Sequence, residues 1–356
     1  MIIPLGRQED EMEKVITFII PAYNAELYLK KCLDSFLNAS VIDRIEVLVI
    51  NDGSLDQTAQ IAQSYVEQNP NTYRLINKEN GGHGSVINTG SRLAAGKYFK
   101  VIDADDWVVT DNLVPFVKCL EKCEGDIVIT PFHMVHMLTG KKTEYRLNKN
   151  YDSAYISLKE INRSWGEFES CMVFHGITYK TGFYREHYYE LPEHVFYEDQ
   201  IYSAIPCCRA VSIYVKNLFI YQYMVGNMEQ SISAVNQLKR IKHIETVANA
   251  MLDYYASHTE LAEEAAAFLL SKIENVILIY YLTACVLEPD KAKGRKVCGQ
   301  FQLKLAQSNP ELRRRLLGKY RLYLMMNYLH VSAELYERLI SSSIYKKAKE
   351  ISLKAN

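Results

Sequence analysis

Three short apolar runs near the start of the chain each stop on a group of small polar or acidic residues, with helical periodicity between them. The runs are Val15 to Ile20, ended by Pro21-Ala22-Tyr23-Asn24; Ile45 to Ile50, ended by Asn51-Asp52-Gly53-Ser54; and Tyr98 to Ile102, ended by Asp103-Ala104-Asp105-Asp106. A weaker run, Tyr73 to Ile76, leads into Asn80-Gly81-Gly82. After the first run, Asn24 is suited to cap a helix whose apolar positions are Leu29, Leu33, Phe36 and Leu37. After the second, Ser54-Leu55-Asp56-Gln57 has the form of a capping box for a helix ending near Asn69-Pro70. Gly81-Gly82-His83-Gly84 opens a third helix, ending near Gly96. Strand and helix in alternation specify a doubly wound, mostly parallel α/β sheet. Ligands of such sheets bind beyond the carboxyl ends of the strands. Asn24, Asp52, Asn80 and Asp103 all fall at those ends.

The rest of the chain is less regular. Asp126 to Thr130 reads as one more strand, and residues 137–165 as a polar loop or hairpin. Beyond about Val235 strand signals fade, and Leu238, Ile241, Ile244, Val247 and Met251 keep helical spacing. The expected organisation is therefore an α/β domain over 1–233 and a helical region over 234–356. Ala265 to Val286 is apolar but interrupted by Lys272 and Glu274, so a core helix is expected there rather than a membrane span. Arg7 to Glu11 is largely acidic and precedes the first apolar run, which does not suit a signal peptide. The 8 cysteines form no paired C-x-x-C elements. They read as free thiols of a reducing, cytoplasmic protein rather than a disulfide framework. A net charge of −1 argues against a nucleic-acid partner.

The chemistry concentrates in the acidic residues. Asp103, Asp105 and Asp106 put three carboxylates within four positions, which is unfavourable unless something positive sits among them. A hard divalent cation, Mg²⁺ or Mn²⁺, shared with a diphosphate meets that need; the plainer reading is a set of acids capping the next turn. Asn51-Asp52-Gly53 is either a ligand-reading strand end or simply a turn. Asn80-Gly81-Gly82 lets backbone approach a ligand at a helix N-terminus, where phosphate is favoured. His83 there is either a phosphate donor or a surface loop residue. Glu198-Asp199, read alone, is an acidic helix start.

Pro21-Ala22-Tyr23-Asn24, Asn51-Asp52-Gly53-Ser54, Asn80-Gly81-Gly82, Asp103-Ala104-Asp105-Asp106 and Glu198-Asp199 occur in the order and rough spacing of family 2 glycosyltransferases, which the chain resembles over about 14–233. The resemblance implies a GT-A fold and inverting transfer of a sugar from a UDP-sugar to a saccharide or lipid-linked saccharide acceptor. It implies Asp105 as the metal ligand, with Asp103 reaching the ribose or the metal through water. Asp52 would read the uracil and Tyr23 pack on the base, while Pro21 and Ala22 offer backbone groups. Asn24, Asn80, Gly81, Gly82 and Ala104 complete the substrate contacts. Asp199 would be the base, with Glu198 placing the acceptor or its loop, in an acceptor-side region of about 107–233. The family's usual Arg-Asn after the glycines is replaced by His83-Gly84-Ser85-Val86-Ile87-Asn88. Its closing Y-x-Y and S-I-S correspond to Tyr221-Gln222-Tyr223 and Ser231-Ile232-Ser233, with the basic residue before S-I-S missing. These departures motivate the alternative of an inactive, nucleotide-sugar-binding partner subunit, but retention of Asp105 and Asp199 argues against it, and an enzyme is expected.

Other features stay open. Trp107, Trp165, Tyr184, Tyr188, Tyr189 and Tyr197 are either an acceptor platform or core packing, and nothing in their spacing selects a metal ligand from His133, His136 and His175. Arg313 to Arg315, Lys319 and Arg321, beside Leu316, Leu317, Leu322 and Leu324, read as a solvated bundle face or as a peripheral membrane contact.

Overall fold

The computed structural model describes residues 13–226 and 234–341. Its strands are β1 (Ile16–Ala22), β2 (Ile45–Asp52), β3 (Tyr73–Lys78), β4 (Tyr98–Val101), β5 (Trp107–Val108), β6 (Ile127–Ile129), β7 (Phe132–His136), β8 (Lys142–Tyr145), β9 (Ala154–Ile156), β10 (Ile177–Lys180), β11 (Ile213–Val215) and β12 (Tyr221–Val225). Eight of them form one sheet in the order β3-β2-β1-β4-β10-β6-β11-β9. From β3 to β4 the pairing is parallel, as the strand–helix alternation requires. At β10 it turns antiparallel on both sides, and β11 returns parallel to β6. Every residue of β2 is buried, which marks a central strand covered on both faces. Each fully enclosed aliphatic side chain in such a strand contributes about 2 kcal/mol.

A second, four-stranded sheet follows the order β5-β12-β7-β8; β7 and β8 form a hairpin whose first strand precedes the stretch 137–165 read as a polar loop or hairpin and whose second strand falls within it. The parallel pairing of β12 with β7 and the antiparallel pairing of β12 with β5 were not apparent from the sequence. At the junction of β4 and β10, Glu124 accepts from both Lys97 (2.7 Å) and Lys180 (2.8 Å), clipping the two strand ends together.

Two helix starts differ from expectation. The Ser54 capping box is not used: the helix Thr58–Gln68 begins later, with Asp56 accepting from the Thr58 amide. Ser54 instead accepts from the Asn24 amide, while Asn24 accepts from the Leu55 amide, so two loops cross-link each other. Asn24, at φ +47°, therefore caps no helix, and the helix it was to start is only Leu29–Asp34.

The chain divides into two compact units. One, holding both sheets, comprises Met1–Ser157, Phe168–His194 and Ala210–Val225; the other takes Leu158–Glu167, Val195–Arg209 and Gly226–Asn356. Thus two short segments within 107–233 belong with the C-terminal helices. That helical unit is built on Glu263–Tyr281, whose Phe268, Leu269, Ile273, Val276, Ile277 and Tyr280 are buried. With its π-helical continuation Leu282–Leu287, this helix is long and apolar enough to cross a membrane by length and composition, but half of its most apolar window is buried within the protein. The next helices, Lys291–Ser308 and Pro310–Tyr328, start on Asp290 and Asn309, each accepting an amide three residues on.

Candidate active site

Because β1 to β4 are parallel, the residues just past their carboxyl ends share one edge of the sheet. Pro21 and Ala22 lie in register with Ile50 and Asn51 at that edge, and Tyr23 beyond them is 54% exposed. Asp52 is buried, and its carboxylate is heavily used. Oδ1 accepts from Lys78 Nζ (2.7 Å) and the Gly81 amide (3.0 Å), and Oδ2 from the Gly82 amide (2.8 Å). Asn80 Nδ2 adds a bond to the Asp52 carbonyl at 2.9 Å. The amides of the glycine turn, expected to face a ligand, are thus given to Asp52. Gly82 sits at φ +82°, and a Cβ there would lie 3.1 Å from the His194 amide, so the turn requires glycine. The His194 amide in turn donates to the Gly81 carbonyl at 2.8 Å.

At the end of β4 the three carboxylates have three different environments. Asp103 Oδ1 lies 2.9 Å from His83 Nε2, and its own amide donates to the Tyr221 hydroxyl. Burial works to raise the Asp103 carboxyl, but His83 overcomes it and holds the group below the usual range. Asp106 is buried and accepts the Tyr221 hydroxyl and the Met224 amide, both at 2.6 Å. It ties the acidic turn to β12. Asp105 is half-buried; burial and the nearby Asp103 push its carboxyl up to about 6. Ala104 between them is buried.

His175 joins this group from the turn before β10. Its ligand-capable nitrogen and carboxylate oxygens of Asp103 and Asp106 lie within 4.8 Å of one another. Asp105, the ligand implied by resemblance, is outside that set. Burial lowers His175 to about 4, so the ring is neutral and able to donate a lone pair at physiological pH. Lys100 fixes the turn: fully buried, it donates to the carbonyls of His175 (2.7 Å) and Ile177 (3.0 Å). Carboxylate oxygens with one neutral imidazole are a donor set that suits Mn²⁺ or Mg²⁺.

Glu198 and Asp199 belong to the helical unit. Asp199 begins the short helix Asp199–Tyr202, and its Oδ2 accepts from Gln200 Nε2 at 3.1 Å; Glu198 precedes it and is buried. The segment is held from the C-terminal side, with Arg240 over the Phe196 ring at 3.4 Å and His243 accepting from the Phe196 amide. Among the aromatic candidates, Tyr184 is core, Trp165 packs edge-on against Phe268, and Tyr188 meets Arg92. Trp107 carries Lys31 over its ring at 3.0 Å. His133 pairs with Gln222. The Ser231-Ile232-Ser233 segment lies outside the described residues.

Lys78 and the role of Tyr221 escaped sequence reasoning, and His175 was one of three histidines that the sequence could not choose between. Lys78 carried one signal, a cation at the end of a strand adjacent to Asp52. His175 carried none, because a fold-over of about seventy residues brings it to the β4 end.

The sequence profile described as Glycosyl transferase family 2 matches residues 17–188. EpsH of Bacillus subtilis (strain 168), a glycosyltransferase by name, is 26% identical over 91% of this chain and 96% of its own length. The hyaluronan synthase of Pasteurella multocida is 34% identical over 31% of this chain, but that is only 11% of its own length. Among solved structures, residues 1–349 of S. aureus TarS in complex with UDP-GlcNAc match with a TM-score of 0.64 at 19% identity, covering 88% of this chain and 89% of that one. That likeness shows a shared GT-A fold.

Proposed function

We propose, from the premise that this chain is a family 2 glycosyltransferase, that it transfers a sugar with inversion from a UDP-sugar to a saccharide or lipid-linked saccharide acceptor. The observation that carries this reading is the group of Asp103, Asp106 and His175 gathered at the end of β4, on the sheet edge shared with Asp52 and its glycine turn. The UDP and UDP-GlcNAc complexes of TarS favour a uridine nucleotide. The relatives named for hyaluronan and minor teichoic acid synthesis favour a polysaccharide-type acceptor.

In the proposed reaction an acceptor hydroxyl oxygen bonds to the anomeric carbon as the bond from that carbon to the UDP oxygen breaks. Asp199 takes the hydroxyl proton, and Glu198 helps place the acceptor or its loop. Asp103 and His175, which converge in the structure, together with Asp105, which the resemblance implies, are the groups that would hold a divalent cation; when bound, it would neutralise charge developing on the departing diphosphate. Asp106, with both oxygens already hydrogen-bonded, fixes β12 against the acidic turn rather than offering a ligand first. Tyr23 is exposed enough to cover the base. Asp52 keeps one lone-pair direction on Oδ2 for a pyrimidine N–H.

A cytoplasmic protein resting on the membrane surface fits the outer face of Pro310–Tyr328. Leu322 and Met325, with Leu329 just beyond, are exposed at helical spacing, and exposed Arg314, Lys319 and Arg321 flank them.

The test is release of UDP from a panel of nucleotide sugars with Mn²⁺, with Mg²⁺ and with chelator. Metal-dependent turnover of a UDP-sugar is expected. Turnover of a guanosine or thymidine donor instead, or unchanged turnover in chelator, would overturn the donor or the metal part respectively.

A further inference from the structure

We propose that Cys285 and Cys298 form a reversible redox pair that closes into a disulfide between the π-helical turn and the helix that follows it. Their sulfurs lie 2.9 Å apart, inside ordinary van der Waals contact for two thiols. The approach is built into the backbone. A Cβ on Gly294 would lie only 2.2 Å from the Ala284 carbonyl oxygen, so glycine alone lets the helix Lys291–Ser308 come this close to the turn Leu282–Leu287. Cys298 is four residues on from Gly294 and shares its face, and Cys285 follows Ala284. Asn327 pins both sides, donating to the carbonyls of Cys285 (2.7 Å) and Lys291 (3.2 Å) while accepting from Arg295 (2.6 Å).

The surroundings also activate one sulfur. The Cys298 thiol holds Cys285 below the usual thiol range, and the charges of Lys291 and Arg295 add to the effect. Other cysteines face different partners: Cys32 the Asp103 carbonyl, Cys171 the Tyr145 carbonyl and Cys208 the Ile205 carbonyl.

Both residues are fully buried, so the oxidant that suits them is a small peroxide rather than a bulky disulfide. The Cys285 thiolate attacks one peroxide oxygen, the O–O bond breaks, and the other oxygen leaves as water with the thiol's proton. The Cys298 sulfur then displaces the hydroxyl from the Cys285 sulfenic acid, and a second water leaves with its proton. Two thiols and one hydrogen peroxide give one disulfide and two waters; a dithiol reductant reverses the change.

The experiment treats the full chain with hydrogen peroxide, quenches it, and counts thiols after denaturation. The count should fall from eight to six, with a peptide map joining Cys285 to Cys298, recovery in dithiothreitol, and a thermal midpoint higher by about 5 °C in the oxidised form. The Cys298→Ser variant should stop at a Cys285 sulfenic acid that dimedone traps. Eight thiols remaining, or a cross-link between any other pair, would overturn the proposal. Should Cys298→Ser fold poorly, the wild-type peptide map decides alone.

Discussion

Asp52 organises the glycine turn through three donors, and its removal should be felt before any ligand arrives. Asp52→Ala leaves the Lys78 ammonium and the Gly81 and Gly82 amides without their acceptor. Stability should drop by about 3 kcal/mol, read as a lower urea midpoint with unchanged slope, together with weaker UDP binding. Asp199→Asn should do the opposite: UDP and metal binding persist while transfer falls at least about a hundredfold. Wild-type transfer by that variant would remove Asp199 from its proposed role. His175→Ala should raise the Mn²⁺ concentration needed for half-maximal activity by about tenfold or more. These residues were unequally legible. Asp52, Asp103 and Asp199 stand at ends of recognisable elements, so their places in the fold could be read from local pattern. His175 could not, since only tertiary folding joins it to Asp103, and Asp52's use of the glycine amides required the turn's actual geometry.

Elements were legible where the pattern was long and local. β1, β2, β4 and the helix His83–Leu93 follow from apolar runs and their punctuation. β5, β9 and β11 have two or three residues each and depend on neighbours distant in sequence, so no local signal selects them. The Ser54 capping box failed because Ser54 accepts from the Asn24 amide while Asn24 accepts from the Leu55 amide, bonds between two loops with no trace in either segment alone. The β4–β10 junction makes a prediction at this scale. Lys180 and Lys97 pull the Glu124 carboxyl down to about 2 from an ordinary 4.5. A depressed carboxyl contributes stability above the unfolded value and loses it as pH falls through the folded one. Glu124→Gln should therefore be less stable than the parent at pH 7, and the two should converge as urea midpoints are followed from pH 5 down to 2. Because the side chain is exposed, the gap should be small and should shrink further in high salt.

At the scale of the molecule, the outer face of Pro310–Tyr328 predicts binding to vesicles containing an anionic lipid, lost with a neutral lipid alone or in high salt. Leu322→Glu with Met325→Glu should abolish it and leave donor hydrolysis intact; equal binding to neutral vesicles would point to a purely apolar contact. The division into a sheet-bearing unit and a helical unit was only partly legible. The change of character near Val235 is a matter of composition, but the membership of Val195–Arg209 depends on Arg240 and His243 gripping Phe196. That grip has an evolutionary side. Recombination between related genes at the visible change of character would separate the Glu198-Asp199 segment from the helices that shape it. A C-terminal exchange that keeps Phe196 in its present setting would therefore have to carry the internal segments Leu158–Glu167 and Val195–Arg209 along with the helices.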